Sequence, residues 1–126
     1  MNSHSQILVV GHDQMLLQSR RLILGTYFQV ESAGRISEAG SILSKCDFDL
    51  IILCDTLSDT ECLQVADMVE TQTPHPILLE LFGPGISHDR HIGRRFSTCG
   101  GPLQLLKECA GVLNFDMRTK QHTLPN

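Results

Sequence analysis

Residues 48–55 read Phe-Asp-Leu-Ile-Ile-Leu-Cys-Asp. The part from Leu50 to Leu53 is apolar at every position, which is typical of a strand at the centre of a parallel sheet with helices on both faces. Asp55 ends the apolar run and opens a polar segment. Cys54 is therefore predicted to lie at the carboxyl end of a central strand.

Similar runs alternate with helical patterns along the rest of the chain. Because short loops join the segments, the strands must be parallel and connected by right-handed crossovers, which predicts an α/β, doubly wound, five-stranded parallel sheet. The predicted strands are 7–10, 27–32, 48–53, 76–81 and 95–98. The first predicted helix begins after Asp13, and the other three cover 37–45, 61–70 and 102–113.

Length, charge and cysteine usage limit the class of protein. The 126 residues, 41% hydrophobic and 19% charged, suit one globular domain, and a net charge of −4 disfavours direct binding of nucleic acid. The basic cluster of Arg90, Arg94 and Arg95 is expected to be a solvated surface. No apolar run is long enough for a membrane span, and the odd set of five cysteines fits reduced thiols, so we expect a cytoplasmic protein.

Ligand sites of such sheets collect where the parallel strands end. In this chain those positions are 11–13, 54–59, 81–82 and 99–101. Asp13 is interpreted first as the N-cap of the first helix.

Three segments resemble the receiver domains of bacterial two-component response regulators: Gln6–Val10, Leu24–Ala33 and Asp49–Leu53. The resemblance covers about residues 6–114. It implies a flavodoxin-like fold with strand order 2-1-3-4-5, a receiver-like domain at 1–114, a tail or linker at 115–126, and a signalling role that is not enzymatic.

Receivers of this family use an acidic pair for a divalent metal, an aspartate that accepts the phosphoryl group, a Thr or Ser hydroxyl, and a Lys-Pro pair. The resemblance puts these roles on positions that carry other residues. The acidic pair falls on Gly11 and His12, the phosphoacceptor on Cys54, the hydroxyl on Leu81, and Lys-Pro on Cys99 and Gly100. With Asp13 one residue too late, we expect a degenerate pocket without phosphorylation, metal or cofactor.

Three alternatives use the same positions. Asp55 could accept the phosphoryl group if the register slipped by one residue. Cys54 and Cys99 could form a redox-sensitive disulfide if they face one another. His12 together with both thiols could ligate zinc, although the spacing is not a zinc signature.

The segment between Leu81 and Cys99 is shorter than the resemblance implies, so a shortened or irregular fourth helix is expected. A protein partner or a second copy is expected to bind through region 82–106. Candidates for this partner face are Ile92, Phe96, Leu103 and Leu106, with core packing as the alternative interpretation for all four.

Overall fold

The computed structural model describes residues 5–72, 75–83 and 94–114. Five strands and four α-helices lie within these ranges, and a helix follows every strand except β4. In chain order they are β1 (Gln6–Val10), α1 (Gln14–Leu24), β2 (Gln29–Ala33), α2 (Ile36–Leu43), β3 (Leu50–Leu53), α3 (Asp59–Val69), β4 (Ile77–Phe82), β5 (Arg94–Ser97) and α4 (Gly101–Val112), with a 3₁₀ turn at Thr98–Gly100 before α4.

All strand pairs are parallel, and the sheet has the order β2-β1-β3-β4-β5. The predicted α/β, doubly wound, flavodoxin-like sheet is therefore confirmed. In the register, Val10 lies beside Ala33 on one side and beside Leu53 on the other. The loops after β1, β2 and β3 consequently leave the sheet side by side.

The core has two layers because successive side chains of a strand point to opposite faces. Odd-numbered β1 residues face α1 and α4, and even-numbered ones face α2 and α3. The first layer includes Ile7, Val9, Ile52, Leu79, Leu81 and Leu105, and the second includes Leu8, Val10, Ile51, Leu53, Leu78 and Val65.

Two side-chain caps determine where the loops at the sheet edge give way to helices. The Asp13 carboxylate accepts hydrogen bonds from the backbone amides of Met15 and Leu16, so its role as N-cap of α1 is confirmed. Ser58 and Glu61 form a reciprocal capping box at the start of α3. Both caps fix the direction in which the chain leaves its strand.

The structure corrects two assigned positions. β4 continues to Phe82, one residue beyond the predicted end, so Leu81 lies inside the strand with 1% exposure and does not occupy the loop after it. Leu106 is buried in the layer beneath α4 and is removed from the partner face, because α4 presents two adjacent apolar rows and only one can reach solvent. Phe96 is half-buried against that core, whereas Leu103 is 55% exposed.

Four expectations fall on undescribed parts of the chain: Arg90, Ile92, the irregular fourth helix, and the tail at 115–126. Across the described ranges, none of the helices combines the length and apolar character that crossing a bilayer requires.

Candidate functional site

The candidate site lies at the carboxyl edge of the sheet. We call it the strand-end site and define it by Gly11, His12, Cys54, Asp55 and Gly83. The first two follow β1, the next two follow β3, and Gly83 follows β4. The register of the parallel strands brings the three loops together, as the sequence predicted for the first two.

Cys54 is 3% exposed and its amide donates to the carbonyl of Val10. Burial raises the pKa of its thiol to about 11, and nearby Arg20 lowers the pKa only in part. The side chain is therefore a neutral thiol at neutral pH. It is neither a charged oxygen ligand nor a reactive thiolate.

Gly11 lies directly against Cys54. A Cβ built on Gly11 would be 2.8 Å from the Cβ of Cys54 and 3.1 Å from its sulfur. It would also be 3.1 Å from the hydroxyl oxygen of Thr56. The loops after β1 and β3 thus approach so closely that an acidic side chain at position 11 has no room.

His12 joins three loops. Its amide donates to Thr56, its Nδ1 lies 3.1 Å from the carbonyl oxygen of Gly34, and its Nε2 lies 2.8 Å from Oε2 of Glu61. Both ring nitrogens are therefore engaged. The hydrogen bond to Glu61 is the main reason why the pKa of His12 is raised.

Asp55 pairs with a residue that the strand-end pattern does not include. Its Oδ1 is 3.5 Å from Nη1 of Arg20, which lies on the buried face of α1 and is 9% exposed. Neither of these two atoms has a hydrogen-bond partner, so the contact is an ion pair without a formed hydrogen bond. The pair links α1 to the loop after β3.

Gly83 completes the arrangement on the β4 side. A Cβ built there would lie 3.3 Å from Oδ2 of Asp55 and 3.8 Å from the hydroxyl oxygen of Thr98. Thr98 itself donates to the carbonyl of Phe82 at 3.3 Å. The Asp55 carboxylate therefore lies between Arg20 on one side and the end of β4 on the other.

The thiol and zinc alternatives receive little support. Cys46, Cys54, Cys62 and Cys109 are free, and burial raises the pKa of both Cys62 and Cys109 to about 12. Cys99 lies in the 3₁₀ turn next to Gly100, but its side chain falls outside the described residues, so the Cys54–Cys99 pair stays a prediction. Within the described part of the chain, no group of three His, Cys, Asp or Glu residues could hold a metal ion.

The His12–Glu61 contact predicts how stability depends on pH. The raised pKa of His12 stabilises the fold below the group's ordinary value of 6.5, and this contribution is lost as the pH rises through the raised value. The lowered pKa of Glu61, caused first by the amide of Ser58, contributes above its ordinary value of 4.5 and is lost at more acidic pH. The pair is therefore strongest between pH 4.5 and 6.5.

We expect His12→Gln to lower the free energy of unfolding in that interval by less than about 1 kcal/mol, because the pair is partly exposed. The difference from wild type should shrink as the pH rises above the raised pKa of His12. Urea unfolding at about pH 5.5 and about pH 8.5 measures this, with His75→Gln as the control. A difference that grows with pH would contradict the assignment.

Solved structures of receiver domains are similar to this chain. The chemotaxis protein CheY4 of Vibrio cholerae is 21% identical with a TM-score of 0.73, covering 87% of this chain and 99% of CheY4. A CheY-like receiver domain from Methanospirillum hungatei is 19% identical with a TM-score of 0.74, covering 89% of this chain and 95% of its own. The signal receiver domain of an HD domain-containing protein from Pseudomonas fluorescens is 19% identical, with a TM-score of 0.72 and coverage of 97% and 100%.

No protein-family model and no curated protein matches the sequence. The similarity to solved structures shows that the chain has the fold of CheY-like response regulator receiver domains. Because the sequences are only 19–21% identical, this similarity shows the fold alone.

Proposed function

We propose that the chain is an atypical receiver-like signalling module that binds a protein partner without being phosphorylated. The observation that carries this proposal is the buried thiol of Cys54 at the end of β3, with a pKa raised to about 11. A neutral thiol in that place supplies neither the oxygen nucleophile nor the negative charge that phosphoryl transfer and Mg²⁺ binding require.

The neighbouring residues support the same proposal. Gly11 leaves no space for an acidic side chain beside Cys54, and His12 uses both ring nitrogens within the fold. Asp55 already faces a cation, Arg20. The carboxylate of Asp55 therefore faces a positive charge within the fold and is turned toward α1.

We propose that the partner binds to region 82–106. We further propose that the protein acts in the cytoplasm, without a cofactor and without catalytic activity. Leu103, which is 55% exposed on α4, supports a contact there, and the guanidinium of Arg95 lies 4.6 Å from the centre of the Phe82 ring. Sedimentation of the isolated chain distinguishes a different protein from a second copy of the chain as the partner, because a homodimer persists without an added component.

The experiment that tests the proposal is exposure of the chain to acetyl phosphate with Mg²⁺, followed by measurement of the intact mass. We expect no phosphoryl adduct. We also expect unchanged amide resonances at Asp55 when beryllofluoride and millimolar Mg²⁺ are added. An adduct that disappears in Asp55→Asn would instead establish Asp55 as the phosphoacceptor.

A further inference from the structure

A cavity of about 190 Å³ lies beside the strand-end site, between α1 and the start of α4. Most of its wall is apolar, and its polar groups are Arg20, Ser19 and Thr98. The apolar residues that line it are Leu16, Leu81, Phe96, Pro102 and Leu105. A cavity of about 150 Å³ with Leu, Ile and Phe walls is known to hold a benzene molecule, so this one has room for a six-membered ring with a small substituent.

The polar end of the cavity contains a cation with unused donors. Arg20 is 9% exposed, and its Nη1 is buried without a hydrogen-bond partner. A guanidinium carries five N–H donors, and the Nη1 that faces Asp55 at 3.5 Å accounts for only two of them. Nη1 is closed to solvent beside Asp55, so an acceptor in the cavity would pair with the remaining donors, on Nε and Nη2.

The start of α4 favours the same kind of ligand. Gly101 and Pro102 line the cavity, and the N-cap residue, Gly100, has no side chain to accept the first amides of the helix. The positive end of the helix dipole favours an anion at this place. Thr98 already donates its hydroxyl proton to Phe82, so Arg20 is the principal side-chain donor for a ligand.

Among the described residues that line the cavity none is acidic, and Asp55 is not one of them. We infer that this cavity binds a small organic carboxylate whose apolar ring or branched tail lies among the leucines while its carboxylate pairs with Arg20. A carboxylate matches the fork of a guanidinium, which donates two parallel N–H bonds to the two carboxylate oxygens. The ligand would share Arg20 with Asp55 and so connect the cavity to the loop after β3.

This inference is independent of phosphorylation, and its test does not use acetyl phosphate. The probe is benzoate, titrated into the full chain to about 20 mM because a ligand of this size with one ionic contact binds in the region of about 1 mM. We expect saturable shifts of the amide resonances of Leu16, Thr98 and Leu105. Benzamide, which has the same shape but no charge, should bind about tenfold to a hundredfold more weakly.

Two variants separate loss of binding from loss of folding. Arg20→Met should weaken benzoate binding by about tenfold to a hundredfold, while Arg21→Met, at the neighbouring exposed arginine, should leave it unchanged. Leu16→Phe keeps Arg20 and narrows the cavity, so it should abolish the benzoate-induced shifts at Thr98 and Leu105. This variant provides the test if Arg20→Met does not fold. Equal binding of benzoate and benzamide, or full binding in Leu16→Phe, would overturn the inference.

Discussion

Replacing Arg20 with methionine is expected to lower the free energy of unfolding by about 1–3 kcal/mol. Removing one partner of a buried ion pair typically costs about 3–5 kcal/mol, because the other charge is left without compensation. The side chain of Asp55 is 22% exposed, so water recovers part of that cost. Methionine keeps most of the apolar stem, which limits the change to the charge.

A double-mutant cycle with Asp55→Asn isolates the pair itself. The variant that carries both changes has no unpaired charge, so it should be less destabilised than the sum of the two single variants, by about 1–2 kcal/mol. Urea unfolding of the four proteins gives this number. Arg21→Met, on the exposed face of α1, should change stability by less than about 0.5 kcal/mol. Strict additivity would show that the two residues do not interact.

Adding a single methyl group at Gly11 is expected to lower the free energy of unfolding about as much as replacing Arg20 does. The Cβ of Gly11→Ala would lie 2.8 Å from the Cβ of Cys54, and that atom cannot rotate away because it is attached directly to the backbone. Crowding of this kind in a packed region costs about 1–3 kcal/mol. The melting temperature and urea midpoint of Gly11→Ala should both fall.

The matched control, Gly111→Ala, is expected to change stability in the opposite direction. Gly111 lies in α4, and among the described residues a Cβ built there meets no atom within 4 Å apart from the helix's own backbone and its chain neighbours. Gly111→Ala should therefore raise stability by up to about 1 kcal/mol, since alanine loses less backbone entropy in a helix. The cost of Gly11→Ala should also shrink when Cys54→Gly is introduced. A stable Gly11→Ala protein would mean that the two loops can separate easily.

The apolar strands made the sheet predictable, because only a parallel sheet covered on both faces accommodates a run such as Leu50–Leu53. The same reasoning placed Cys54 and His12 correctly at the strand ends. It did not distinguish the two apolar rows of the last helix, since Leu103 and Leu106 look alike in the sequence. Their difference arises from how α4 packs on the sheet: one is 55% exposed and the other 4% exposed.

Arg20 is the residue that sequence reasoning missed. A signal existed, because Leu17, Arg20 and Leu24 are spaced so that they share one helix face, and both leucines are buried. A charged residue on an apolar face indicates a buried partner. The identity of that partner could not be read, because Asp55 reaches Arg20 only through the packing of α1 against β3. Glu61 was hidden in the same way, 49 residues from His12.

The contact between Gly11 and Cys54 also constrains how this sequence can change over generations. Each position limits what the other can carry, since any side chain at 11 meets a Cβ of residue 54 that is 2.8 Å away. A protein with this pair cannot gain a side chain at position 11 in one step without losing stability. Every residue except glycine carries a Cβ, so position 11 stays restricted for as long as position 54 is not glycine.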